Sequence, residues 1–255
     1  MTKYVSVDLI SDNVSYKITN YLYGLPGPLV FHSLLKALDL KLGNSIKVGN
    51  PMITYKEVRE KEGFSLKSKD YKNANALNVN GNIYKGETTL IDTPEGYVKV
   101  NLLFTINTRE NEEEKILSKL SFNFKKLRLA GGTLFIENLR VKDDIEDFMT
   151  PIGFTLNSGD YEFEDIEDFI FDNCVKYKNK KGLSLMAQTG VSHIGKAKKE
   201  DSIFKKEHYF SEVIIEKIIA KRLLYRKMSK EILNNYIWKT ELRDNSLIIK
   251  TKEKG

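Results

Sequence analysis

Cysteine is nearly absent from this sequence. Cys174 is the only one, so the chain can form no disulfide with itself, and the thiol content fits a reducing cytosol. Histidine is scarce too. His32, His193 and His208 lie far apart, and none has a second His, a Cys or a paired carboxylate at metal-ligand spacing, which argues against a zinc site. No apolar run reaches the roughly 18 residues of a membrane helix. The opening Met1-Thr2-Lys3-Tyr4-Val5-Ser6-Val7 lacks the apolar core and small-residue cleavage site of a signal peptide, so a cytoplasmic protein is expected. Phosphate-binding glycine loops of the Walker type and the G-x-S-x-G elbow of hydrolases are missing as well. The sequence presents no assembled catalytic set, metal site or cofactor motif.

What is present is charge, unevenly spread. The 255 residues carry a net +6. Residues 141–172 hold eleven acids against one base, Lys142, and so contribute −10, which leaves +16 for the rest. Nine lysines face two acids between positions 175 and 206. Basic residues of this density suit a polyanion, because each neutralised phosphate releases condensed counterions. The acidic block cannot lie on the same polyanion and is expected to face solvent or a basic partner protein. Pairs such as Asp143/Asp144 and Asp165/Glu167 fit a solvated face better than a metal site. Cys174 reads as structural, having no nearby His.

Periodicity gives the elements. Tyr4 to Ile10 alternates as a strand. Gly24-Leu25-Pro26-Gly27-Pro28 turns into a helix that starts with Pro28 and stops at Gly43, its apolar stripe being Phe31, Leu34, Leu35, Leu38 and Leu42. Short strands follow at 45–48 and 52–58. Residues 67–96, rich in Asn, Gly and Lys, read as a loop or hairpin insertion. Tyr97 to Ile106 is a strand. Asn107 or Thr108 then caps a helix with acids near its positive end and Ile116, Leu117, Leu120 and Phe124 inward. Gly131-Gly132 is expected to end that helix before a strand over 133–139.

This order predicts an α+β fold with a ferredoxin-like, RNA-recognition-motif body over residues 1–140, carrying an insertion at about 50–96. Residues 141–255 form a smaller α+β part. There the expectations are an acidic helix over 160–174, a strand over 182–188, a long helix over 209–234, and a final hairpin pairing 236–242 with 246–250.

Two local features could carry chemistry. His32 could serve as a general base for RNA cleavage, but its helix offers Lys36 rather than a second base, which fits a histidine at the core edge or surface better. Gly131-Gly132 follows Lys125, Lys126 and Arg128. It either simply terminates a helix or lets an RNA backbone approach the main chain while the bases hold phosphate. The local sequence leaves both readings open.

Several segments, in order, resemble a known family. Gly24-Leu25-Pro26-Gly27-Pro28-Leu29-Val30-Phe31 with Leu34-Leu35-Lys36-Ala37-Leu38 is similar to the first helix of the Csy-complex second subunit, the Cas-five-type protein of type I-F CRISPR systems. Arg128-Leu129-Ala130-Gly131-Gly132-Thr133 resembles the signature of that family. Met149-Thr150-Pro151-Ile152-Gly153-Phe154-Thr155-Leu156, Leu183 to Ile194, His208-Tyr209-Phe210-Ser211-Glu212 and Tyr236-Ile237-Trp238 resemble its later segments. Lys36 stands where the family usually has histidine, and the chain is short for the family.

The resemblance implies a non-catalytic, RNA-binding subunit. It would hold the 5′ handle of the crRNA together with a large subunit, and cap the row of backbone subunits. It also allows a position near the PAM-side duplex of target DNA, whose sequence the guide would read by base pairing. Residues expected to touch RNA are Lys125, Lys126, Arg128, Gly131 and Gly132 at the glycine turn, with Lys196, Lys198 and Lys199 along the backbone. The alternative is an RNA-processing endonuclease of similar fold.

Overall fold

The computed structural model describes residues 1–16, 24–60, 76–77, 83–84, 95–158, 178–179, 182–196, 209–243 and 245–251. The elements in chain order begin with β1 (Thr2–Ser15), α1 (Pro28–Leu42), β2 (Ile46–Val48), β3 (Met52–Glu60), β4 (Ala76–Leu77), β5 (Ile83–Tyr84) and β6 (Glu95–Thr108). Next come α2 (Glu113–Phe124), β7 (Arg128–Leu129), β8 (Gly132–Lys142), β9 (Phe154–Ser158) and β10 (Lys178–Asn179). The chain continues with β11 (Gly182–Lys196), β12 (Tyr209–Arg222), α3 (Lys230–Tyr236), β13 (Lys239–Arg243) and β14 (Ser246–Lys250).

The fold is α+β. Twelve strands form one sheet along the path β13-β14-β11-β12-β9-β3-β6-β1-β8-β7, with β10 added to β11 and β2 to β6. Among the described residues β4 and β5 pair with each other and not with the large sheet. β1 lies in the interior of the sheet, antiparallel to β6 on one side and β8 on the other. Within this sheet the run β1-α1-β3-β6-α2-β8 places its strands side by side in the order β3-β6-β1-β8. Residues before and after position 140 share the sheet, since β3 pairs with β9 through Thr54–Thr155 and Tyr55–Phe154.

The period of two in β1 decides which face is buried. Val5, Val7 and Leu9 stand opposite Phe104, Leu102 and Val100 of β6, all fully buried. Phe31, Leu34, Leu35 and Leu38 of α1 and Ile116, Leu120 and Phe124 of α2 close the same core. Pro28 opens α1, where its fixed φ suits the first turn, and Gly43 at φ +64° ends it. The loop before α1 is pinned from the sheet: the Tyr55 hydroxyl donates to the Pro26 carbonyl at 2.5 Å. Burial pushes that hydroxyl well above its usual pKa, so it stays protonated as a donor.

The opposite face of the sheet is covered in part. Met52 and Leu103 pack there with Ile145, Phe148, Met228, Ile232 and Leu233 in a second, smaller core. Beside it the face is polar. Asn101 donates from Nδ2 to the Ser6 hydroxyl at 3.0 Å and to Asp8 Oδ1 at 2.7 Å, and Lys56 pairs with the same Asp8 oxygen at 2.7 Å.

Three expectations need correction. The long helix over 209–234 is instead β12, a loop and the short α3. Its paired apolar residues satisfy a helical stripe as well as a two-sided strand. Val213, Ile214, Ile215, Ile218 and Ile219 are β-branched, and their stiff χ1 favours the pleated backbone. Ser229 then starts α3, its hydroxyl accepting from Ile232 N at 3.2 Å. Gly131-Gly132 does not end α2, which stops at Phe124 with Lys125 as its C-cap. Neither Asn107 nor Thr108 caps α2, which starts at Glu113 without a side-chain cap. Thr108 closes β6, its hydroxyl donating to the Ser45 carbonyl and accepting from Glu110 N.

Other elements agree closely. α1 and β6 lie where periodicity puts them, the final hairpin pairs 239–243 with 246–250 while Tyr236 belongs to α3 instead of its first strand, and the expected strand over 182–188 extends to Lys196. The expected acidic helix over 160–174 lies outside the described residues, as does most of the 67–96 insertion. Among the described residues no helix is long and apolar enough to cross a membrane.

Candidate nucleic-acid interface

The glycine motif is a two-residue β-hairpin. Arg128 pairs with Thr133 and Leu129 with Gly132, which leaves Ala130 and Gly131 as the turn. Both have positive φ, +45° and +86°. This is the backbone of the mirror-image turns that match the twist of a hairpin, and glycine adopts it without steric cost.

The two glycines do different work. A Cβ on Gly132 would lie 2.3 Å from the Asp12 carbonyl oxygen and 2.7 Å from Ser11 Oγ, both on β1. Gly132 is therefore a packing glycine that lets β8 lie tight against β1. The Ser11 hydroxyl donates to the Thr133 carbonyl at 2.9 Å, and Ser15 N donates to the Ala130 carbonyl at 3.0 Å, which fixes the hairpin in place. Gly132 is buried and offers no open main chain. Gly131 is exposed, and a Cβ there meets nothing within 4 Å. Of the pair, Gly131 alone can present backbone to a ligand.

Lys125, Lys126 and Arg128 are all exposed around this turn. Arg128 Nη1 donates to the Gly131 carbonyl at 3.4 Å, and Lys126 Nζ stands 3.7 Å from the centre of the Phe122 ring. None of the three forms an ion pair with a described residue. β7, which carries Arg128, is the last strand on its side of the sheet. The structure thus gathers the three predicted bases and Gly131 at one exposed sheet edge and removes Gly132 from the set.

Lys196 ends β11, its backbone opposite Tyr209. Lys198 and Lys199 lie outside the described residues, as do Cys174 and His208. His32 is 6% exposed, on the core side of α1. Burial, helped by the nearby Lys36 charge, holds its pKa below the usual histidine range. Of the acidic block, Asp143 pairs with Lys3 at 2.5 Å, and Asp144 accepts from Glu146 N at 3.2 Å at the start of a 3-10 turn. Residues 159–172 of the block lie outside the described residues. Among the described residues no group of three His, Cys, Asp or Glu side chains is placed to hold a metal.

One basic feature escaped the sequence reading. Arg222 and Arg226, placed by periodicity inside a helix, flank a loop between β12 and α3 and line a cleft. Only the break of β12 at Arg222 exposes them together. The sequence signal was the Ser229 cap, which marks a new helix start after the loop.

No protein-family model matches the chain, and no curated protein sequence matches it.

Proposed function

We propose that this chain is a non-catalytic, RNA-binding subunit of a type I-F CRISPR surveillance complex, acting in the cytoplasm to hold the 5′ handle of the guide RNA. Its β1-α1-β3-β6-α2-β8 body is read here as ferredoxin-like, and the strand order β3-β6-β1-β8 supports that reading. The partners are the crRNA handle, the large subunit and the backbone subunits, with PAM-proximal target DNA nearby.

One observation carries the reading. Three exposed bases without acidic partners among the described residues surround a main-chain turn that is itself open at Gly131. Phosphate oxygens accept hydrogen bonds from such side chains and from backbone N–H groups, and these contacts position a nucleic acid without reading its sequence.

The test is co-expression with guide RNA and the sister subunits. The Lys125→Ala/Lys126→Ala/Arg128→Ala variant is expected to retain less RNA. Its log K against log salt should be shallower by about 2, from ~0.7 per lost single-strand phosphate contact. Unchanged retention and slope would reduce the turn to a piece of sheet architecture.

A further inference from the structure

The loop between β12 and α3 is short, basic and firmly held. Residues 221–231 contain five bases, Lys221, Arg222, Arg226, Lys227 and Lys230, against the single acid Glu231. Thr150 clamps the loop at three points. Its hydroxyl donates to the Leu224 carbonyl at 2.7 Å and accepts from Arg226 N at 3.0 Å, while Thr150 N donates to the Arg226 carbonyl at 2.8 Å. A fourth bond runs from Met228 N to the Phe148 carbonyl at 2.8 Å. The backbone is therefore set before any ligand arrives, which lowers the ordering cost of binding.

This held loop borders a cleft of about 330 Å³, within the ~300–1,000 Å³ range of small-ligand sites. Arg222 and Arg226 line it together with Asn157, Asn235 and Tyr236, and with Glu231 as its one acid against two arginines. Arg222 stacks its guanidinium 4.7 Å from the centre of the Phe154 ring, which orients the fork without neutralising it. Neither arginine is ion-paired with a described residue. Burial holds the Tyr236 hydroxyl above its usual pKa, with the Arg226 charge opposing, so it remains a hydrogen-bond donor at neutral pH. On the crest of the loop Tyr225 is 66% exposed and Leu224 79% exposed. Tyr225 lies in the chain between Leu224 and Arg226, both of which line the cleft, and its exposed ring is open to a planar ligand.

We infer that this cleft binds one nucleotide of a single-stranded RNA, its phosphate held by Arg222 and Arg226 and a neighbouring base stacked on Tyr225. Guanidinium forks match phosphate geometry. A base has a π-face whatever its identity, so an exposed tyrosine accepts any of them. The amides of Asn157 and Asn235 can donate to or accept from a base edge or a ribose hydroxyl. An acidic peptide would also meet the arginines, but it would leave the Tyr225 ring without a planar partner. This inference rests on the RNA-binding reading and adds to it a second contact point, carried on different strands from the glycine turn.

The experiment uses the full chain and a short oligouridine RNA carrying 4-thiouridine. Ultraviolet crosslinking with peptide mapping locates the contact, and fluorescence anisotropy across a salt series gives affinity and slope. A crosslink within residues 222–236 is expected. Tyr225→Ala should weaken binding roughly 5- to 150-fold, the equivalent of the ~1–3 kcal/mol of a stacked base, while Tyr225→Phe should retain affinity. Arg222→Ala/Arg226→Ala should weaken binding and flatten the salt slope by about 0.7, for one phosphate. All these side chains except Tyr236 and the asparagines are exposed, and circular dichroism confirms that the variants fold. A crosslink confined to the glycine turn, with the loop variants unaffected, overturns the cleft and leaves the RNA-binding function standing. No RNA bound by the chain or by its assembled complex overturns both. Displacement of the RNA by a poly-glutamate peptide at equal charge, with loss of affinity unaffected by Tyr225→Ala, also overturns the cleft and makes it a protein-docking site.

Discussion

Gly132→Ala is expected to loosen the seam between β1 and β8 while leaving the Ala130-Gly131 turn chemically intact. Gly132 does not need a left-handed backbone, so the whole penalty is steric. The added carbon would stand 2.3 Å from a main-chain oxygen of Asp12, far inside the 3.0 Å below which real contacts essentially never fall. A backbone oxygen cannot swing aside as a side chain would, so β8 must back away from β1 by about 1 Å. Overpacking of this kind costs about 1–3 kcal/mol. The shift also strains the bonds from Ser11 Oγ and Ser15 N, each worth about 1 kcal/mol. With each bond about half lost, the sum is about 2–4 kcal/mol. For a chain of this size that corresponds to a melting temperature lower by roughly 5–15 °C in thermal denaturation followed by circular dichroism. Gly131→Ala is the control. It places alanine at φ +86° in open space, a strain of about 1–2 kcal/mol with no clash. If Gly132→Ala melts with the wild type while Gly131→Ala is the more damaging, the division of labour between the two glycines is wrong.

Two further outcomes are expected. Thr189 occupies a bulge of β11 between Gln188 and Gly190, fully buried, and its hydroxyl has no hydrogen-bond partner among the described residues. Thr189→Val removes an unsatisfied group and should raise stability by about 1 kcal/mol in urea titration, and a destabilised variant would mean that the hydroxyl is bonded. His32 has a folded-state pKa below its unfolded value, so the folded chain resists the proton that the unfolded chain accepts. Its contribution to stability is therefore present above about pH 6.5 and lost as pH falls through the lower folded value. Unfolding titrations from neutral pH downward should show a steeper loss in the wild type than in His32→Gln, and parallel curves would place the histidine in water.

How far the sequence carried the reading depended on whether period and punctuation agreed. α1 was legible to the residue because Pro28, a leucine stripe and Gly43 all mark the same segment. β1 and the first half of β6 were legible because Val5, Val7 and Leu9, and Val98, Val100 and Leu102, alternate with polar residues. β12 was not, since doubled isoleucines fit either period and only tertiary pairing with β9 and β11 decides between them. The glycine turn was half legible. Its basic flank could be read directly, but the separate tasks of Gly131 and Gly132 follow from where Asp12 and Ser11 lie, more than a hundred positions earlier. The cleft at Arg222 was hidden behind the helix assigned to it, and the strand path that joins β9 to β3 leaves no local trace.

The interior place of β1 has a consequence for synthesis. β1 gains its neighbours only long after it is made, because β6 begins at Glu95 and β8 at Gly132. Until then Val5, Val7 and Leu9 emerge from the ribosome with both strand edges unpaired. Such non-local pairing folds slowly and leaves edges open to other chains. A nascent chain of this kind gains from early company, and production alongside the partner subunits proposed above should give more soluble protein than production alone.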